Sequence, residues 1–354
     1  MKQLDYIIVG QGIAGSILAY KLQKADKKIM VFNDESLPTS SQVAGGIFNP
    51  ITGKNLDKTW LADKIFPYLK TFYCSLEKEF NASFYHETNV YRPFANEQQK
   101  RHFLRLTDEY DLGNYIKIIP EDNTHYSSIE NPLGGLLTAS AGWVNVPKMV
   151  EKFCNYFINQ EIYEAEKFAY NELIISENSV DYKDFHAKKI VFCEGYYASK
   201  NPLFDWIPFN PAKGETLLAE LEGYNIAEIV NQGSWIIPLG EGKIRLGSTY
   251  IWDKLDWETT ESGKELILSK IDKILTLPYK IFAQEAGIRP TTKDRRPFMG
   301  NHPQHSNVYI FNGLGTKGVS LAPYFAEEML GFLEKNKVLM PEANIQRFYT
   351  LYSL

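Results

Sequence analysis

At 354 residues the chain is about twice an ordinary single-domain length, so two domains in one polypeptide are expected. A hydrophobic fraction of 44% and a charged fraction of 23% exclude wholesale disorder, a collagen-like repeat and a disulfide scaffold. The formal net charge of −5 gives no global basic face for nucleic acid, although a local patch can sit inside such a balance. Three widely spaced cysteines, Cys74, Cys154 and Cys193, form no CxxC pair, and the six histidines show no metal-ligand spacing with carboxylates. No metal is expected. No apolar run reaches membrane-span length and the N-terminus lacks the pattern of a signal peptide, so a cytoplasmic location is expected.

The first thirty-five residues read as strand, glycine turn, helix, strand. Leu4–Val9 is β-branched and aromatic enough for a strand buried on both faces, and Gly10-Gln11-Gly12-Ile13-Ala14-Gly15 follows at once. Ser16–Lys24 has helical periodicity, and Lys28–Phe32 reads as the next strand, closed by Asn33-Asp34-Glu35. In that context each glycine has a task. Gly10 permits the tight turn, Gly12 lets backbone approach a pyrophosphate, and Gly15 lets the helix pack on the strand. The helix start, at Ile13 and Ala14, offers unpaired N–H groups to phosphates. Asn33 or Asp34 stands where an acceptor binds adenosine ribose, a place usually held by Glu or Asp. The plain alternative is a glycine turn in an ordinary α/β domain.

Further along, Thr216–Leu221, Gly233–Pro238 and Lys243–Tyr250 are strand-like runs with hairpin spacing, which suggests an antiparallel sheet. Glu261–Leu275 reads as an amphipathic helix with Leu266, Ile267, Ile271, Ile274 and Leu275 inward. Near the C-terminus the strand Asn307–Asn312 precedes Gly313-Leu314-Gly315-Thr316-Lys317-Gly318, a second GxGxxG. No strand with a terminal acid follows the helix expected from Ala322, with Pro323 in its first turn, so this is not a second nucleotide site. A helix start aimed at another electron-rich group fits better. In a flavoprotein that group is the C2 carbonyl of the isoalloxazine ring. A glycine turn before a C-terminal helix is the structural alternative.

Five patches in this order resemble the FAD-dependent D-amino-acid oxidase superfamily, closest to the glycine oxidase, sarcosine oxidase and MnmC oxidase-domain groups. They are the N-terminal fingerprint, Ser40–Ile47, Ile190–Gly195, Ala286–Pro297 and Gly313–Pro323. The resemblance implies an α/β fold: a discontinuous Rossmann-type FAD-binding domain and a smaller mixed α+β substrate domain on an antiparallel sheet. It suggests residues 1–75, 137–210 and 285–354 for the first domain and 76–136 and 211–284 for the second. It also implies that Ser40, Ser41, Gly45, Gly46 and Ile47 run past the pyrophosphate and under the flavin. Cys193, Glu194 and Gly195 would pass near the adenosine, with Glu194, a departure from the usual small residue, expected to point outward. Arg289, Gly313, Leu314, Gly315, Thr316, Lys317, Gly318 and Val319 complete the implied cofactor contacts. No histidine or cysteine stands where relatives attach flavin near the N-terminus, so FAD is expected to be non-covalent.

Amine oxidation by a flavin asks little acid–base work of the protein, which must orient the substrate and shield the product. Arg289, in Gly-Ile-Arg-Pro, is the implied partner of a substrate carboxylate, because a guanidinium makes two parallel bonds to it. Tying the two domains together is its alternative role. Lys317 is a second candidate that could equally face solvent, and Tyr250 is a third, with Trp252 beside it as a pocket wall or mere rim. Lys54 and Trp60 are supported by location only, and Asp294 is expected to order the turn before Arg295-Arg296-Pro297. The expected activity is oxidation of the C–N bond of a small amino acid or secondary amine, with the electron acceptor open. The alternatives are an MnmC-like oxidase acting on a modified tRNA uridine and a nicotinamide-dependent dehydrogenase. Nucleic acid is disfavoured as a partner by the acidic net charge.

Overall fold

The computed structural model describes residues 1–110, 112, 115–121 and 123–352. The chain divides into two compact units of nearly equal length: Met1–Ala44, Val146–Ala212 and Gly287–Leu354 form the first, and Gly45–Asn145 and Lys213–Ala286 the second. Residues 45–75 and 137–145, expected with the nucleotide-binding domain, fall in the second unit. The reason is long-range strand pairing, since Ile47 and Phe48 lie antiparallel against Trp143 and Gly142.

The first unit is built on a sheet whose centre is parallel. Lys2–Val9 lies between Phe185–Phe192 and Ile29–Phe32, parallel to both, and Val308–Asn312 extends the sheet beside Phe185–Phe192. The inner stretches Tyr6–Val9, Ile29–Phe32, Ile190–Phe192 and Val308–Phe311 are apolar and buried because both faces are covered. One face packs Ile7, Val9, Met30, Phe32, Ile190, Phe192 and Ile310 into a core with Phe168, Tyr182, Phe185 and Phe204. Phe32 meets Phe168, Tyr182 and Phe185 edge-on, at centroid distances of 5.1 to 6.1 Å. Much of the chain's aromatic content is thus spent on core. Buried Ile17, Leu18 and Leu22 come from the helix Ile13–Lys24, and Phe325, Ala326 and Met329 from the helix Gly318–Lys335. That last helix starts four residues before the expected Ala322. The turn Gly315–Lys317 winds straight into it, so Pro323 falls at its sixth position instead of its first turn.

The second unit is built on a mixed sheet, antiparallel through most of its width, in the strand order Lys280–Arg289, Ala212–Glu220, Lys243–Gly247, Trp235–Gly240, Ile229–Asn231, Tyr85–Pro93, Gly135–Val144, Ile47–Phe48. The helix Glu261–Ile271 packs Ile267 and Ile271 on one face, against Leu217, Ala219, Ile236, Ile244 and Leu246. Leu266, expected inward, is 46% exposed, on the side of the helix away from Ile267 and Ile271. The helix stops at Ile271, and Ile274 and Leu275 enter the core from the following turn. The other face carries Val90, Ala141, Trp143, Ile229 and Ile237.

Candidate functional site

The three N-terminal glycines occupy three different environments. Gly10 has φ +96°, and a Cβ there would stand 2.6 Å from the Cys193 carbonyl oxygen. A Cβ on Gly15 would stand 1.8 Å from the Gly10 oxygen, so helix and strand approach as closely as glycine allows. At Gly12 the one atom of the described residues within 4 Å of such a Cβ is Ser41 Oγ, at 3.2 Å, and that oxygen accepts from Ile13 N at 3.1 Å. The helix begins at Gly12 with no side-chain cap and no acidic residue in its first turn. A glycine-lined helix start of this kind, with the Ile13 N–H already taken by Ser41 Oγ, suits a pyrophosphate on its remaining first-turn N–H groups.

Asn33 is committed to this loop: its Oδ1 accepts from Gln11 N at 3.0 Å and its Nδ2 donates to Tyr163 Oη at 3.2 Å. Asp34 instead accepts from Ser36 N and Oγ, making its own turn. Cys193 donates its N–H to Val9 O, and burial pushes its thiol far above the usual range. Glu194 does not point outward as expected. Tyr170 Oη donates to one carboxylate oxygen at 2.5 Å and Asn201 Nδ2 to the other at 2.7 Å. Burial raises the carboxyl to about 7 against the opposing pull of these two bonds.

The C-terminal loop comes to the same place. A Cβ on Gly318, the first residue of the last long helix, would meet Ile13 Cγ2 at 3.4 Å, so the two glycine-led helix starts are neighbours. Gly313 (φ +71°) lies against Thr292 and Phe298, and Gly315 donates to Pro290 O at 3.2 Å. Leu314 and Val319 are buried, Thr316 is exposed, and Lys317 is partly buried as the N-cap. Asn312, which the sequence reading did not single out, ties two of the patches together. Its Nδ2 donates to Gly195 O at 3.0 Å while its Oδ1 accepts from Gly313 N at 2.8 Å. The partly buried Arg289 ends the strand Lys280–Arg289, and a Cβ on Gly287 two residues earlier would meet Val43 Cγ2 and Ser40 Cα. Segments from all five patches therefore converge within the first unit. Asp294 orders its turn by accepting from Arg296 N, and also receives Arg347 Nε at 3.0 Å.

Gly45, Gly46 and Ile47 belong to the second unit. Gly46 is forced by a close approach, since a Cβ would stand 1.9 Å from Val144 O. Cβ atoms on Gly45 and Gly247 would both crowd the benzo edge of Trp235, at 2.8 to 3.1 Å. Tyr250 is 50% exposed, and its ring stacks on Trp252 with centroids 5.9 Å apart. Among the described residues no cluster of His, Cys, Asp and Glu has metal-site geometry, and no helix is long and apolar enough to cross a membrane.

A parallel sheet bearing a glycine cradle at a helix start, met by a second glycine loop, defines an α/β protein shaped for a dinucleotide cofactor. Residues 5–330 match the FAD dependent oxidoreductase family (DAO), and the chain belongs to it. It is 23% identical over 358 residues to glycine oxidase of Bacillus licheniformis, covering 95% of each chain. It is 21% identical over 340 residues to the tRNA 5-methylaminomethyl-2-thiouridine biosynthesis bifunctional protein MnmC of Idiomarina loihiensis, covering 91% of this chain. It spans about half, 54%, of that longer protein. Among solved structures, glycine oxidase from Bacillus cereus superposes with a TM-score of 0.80 at 21% identity, covering 95% of this chain and 96% of that one. The protein is an FAD-dependent oxidoreductase with the glycine oxidase fold, and the cradle around Gly12 fits the cofactor its family uses.

Proposed function

We propose that the protein oxidises the C–N bond of a small amino acid or secondary amine, holding FAD non-covalently. The observation that carries this reading is Arg289, set at the end of a strand beside the converging glycine loops. Bound FAD supplies the hydride acceptor. Arg289 pairs a substrate carboxylate through two parallel bonds and so fixes which C–H faces the ring. Lys317, at the start of the last long helix, adds positive charge to that helix terminus and favours an anionic ring. Similarity to proteins named glycine oxidase over nearly their whole length supports the amine class. The test is anaerobic: a panel of amino acids of both hands and secondary amines is mixed with the holoprotein. Bleaching of the flavin bands by a carboxylate-bearing amine is expected, and a flavin inert to the whole panel would overturn the reading.

A second reading, oxidation of an amine on a modified tRNA uridine, is favoured by one local feature. Lys293 and Arg295 are exposed and Arg296 partly so in a single turn, and the acid among them, Asp294, is occupied by Arg347. Salt-sensitive tRNA binding that weakens in Lys293→Glu is its expected signature, and indifference to tRNA removes it.

A further inference from the structure

No step described above uses Glu194, yet it stands in the wall of the glycine cradle. A Cβ on Gly10 would lie 3.1 Å from Glu194 Cα as well as 2.6 Å from the Cys193 carbonyl oxygen, and a Cβ on Gly15 would meet Cys193 Cβ at 3.1 Å. The turn that suits a pyrophosphate therefore packs directly on the backbone that carries this carboxyl. On its other side Gly195, at φ +58°, would have no atom of the described residues within 4 Å of a Cβ, and its carbonyl accepts from Asn312 Nδ2 at 3.0 Å. The residue that bears the charge is thus tied to the first glycine loop before it and to the last one after it, all within the first unit.

What faces the carboxyl is neutral from every side. Tyr170, in the turn Tyr170–Glu172, and Asn201, just after the turn Gly195–Lys200, donate to its two oxygens. The Tyr170 phenol and the adjacent Cys193 thiol are both held in their neutral forms by burial. The glycine turn brings no titratable side chain, residues 10–15 being Gly, Gln, Gly, Ile, Ala and Gly. No Lys, Arg or His among the described residues bridges to Glu194. Part of the residue stays exposed while its carboxyl is desolvated, and desolvation outweighs the two donated bonds, holding the group at about 7. A carboxyl poised near neutrality, without a counter-ion, therefore borders a cradle for a doubly negative pyrophosphate. Repulsion between like charges across partly desolvated protein reaches several ångströms and is poorly screened by salt.

We propose that Glu194 takes up a proton when FAD binds, so that cofactor and proton enter the site together and FAD is held more loosely as the solution becomes more basic. The proton comes from solvent and goes to a Glu194 carboxylate oxygen, and no bond of FAD is made or broken. This rests on the cradle around Gly12 as the pyrophosphate site and not on which amine is oxidised. The test uses the full chain freed of FAD, its folding checked by its melting transition, with FAD itself as the ligand. By fluorescence titration, Kd is expected to be level below about pH 6 and to rise at least about fivefold by about pH 8.5. Calorimetry in buffers of different ionisation enthalpy is expected to show net proton uptake on binding at pH 7.5. In Glu194→Gln the Kd should vary less than about twofold over that range, with the uptake gone. Tyr170→Phe removes a donor that favours the charged carboxyl, so its rise in Kd should begin about half a pH unit higher or more. A level Kd without proton uptake in the parent chain overturns the proposal, and so does a Glu194→Gln chain that keeps the parent's rise. Should Glu194→Gln fail to fold, the parent's proton uptake and Tyr170→Phe decide: an unshifted rise overturns the assignment to Glu194. A chain that takes up no FAD at any pH overturns the cradle along with the proposal, whereas tight binding that ignores pH overturns the proposal alone.

Discussion

Glu194 shows how far one residue's environment can depart from its type. Nothing in Phe192-Cys193-Glu194-Gly195 signals an inward carboxylate, because its partners, Tyr170 and Asn201, stand 24 and 7 residues away. A carboxyl raised from 4.5 to about 7 favours the fold when protonated, so its contribution is present at low pH and lost as pH rises through about 7. Glu194→Gln keeps the shape and removes the charge. Its melting temperature should match the parent near pH 4.5 and exceed it at pH 8, by on the order of 1–3 kcal/mol in unfolding free energy. Equal differences at both pH values would show that Glu194 is not the titrating group. Arg289 invites a kinetic test at the same scale. Arg289→Lys keeps the charge but loses the fork, so KM for a carboxylate-bearing amine should rise roughly ten- to hundredfold while an amine without a carboxylate is unaffected. An equal loss for both substrates would make Arg289 structural.

At the scale of elements, the N-terminal turn separates glycines needed for folding from glycines needed for a ligand. Gly10 combines φ +96° with a 2.6 Å backbone clash, so Gly10→Ala should cost stability with or without FAD. Gly12 has open space except for a serine hydroxyl. Gly12→Ala should therefore leave apoprotein melting within a degree or two of the parent and weaken FAD at least about tenfold, or about 1.4 kcal/mol. Fluorescence titration of the apoprotein checks it, and unchanged affinity would remove Gly12 from the cofactor site. Gly263 belongs to the folding class for another reason, its contact with the Glu215 carboxylate. Gly263→Ala should lower stability by about 1–3 kcal/mol by thermal melting, even though alanine is the better helix former. These turns were legible because strand, glycine spacing and helix agree over a short window. Helix ends were less so. Leu266 fits the apolar period yet faces water, and Pro323 reads as a start signal yet lies in the second turn, because tertiary packing outweighed local pattern in both.

Over the whole molecule, the parallel-sheet unit with its glycine loops could be read from order and spacing alone, since each loop follows its own strand. The limits of the units could not. Residues after Ala44 join the second unit through the pairing of Ile47 with Trp143, a contact 96 positions apart that leaves no local trace. The buried pair of Lys213 and Glu215 was invisible for the same reason, because its hydrogen-bond partners lie at 256, 260 and 284. What holds the account together is that the first and last glycine turns lie side by side, with Gly318 against Ile13. The most direct measurement of that claim is an anaerobic absorption titration of the FAD-reconstituted protein. One flavin per chain is expected, bleached by a carboxylate-bearing amine, with Gly12→Ala and Gly318→Leu each weakening the flavin's retention. A protein that folds but takes up no FAD, or a flavin retained equally by both variants, would contradict it.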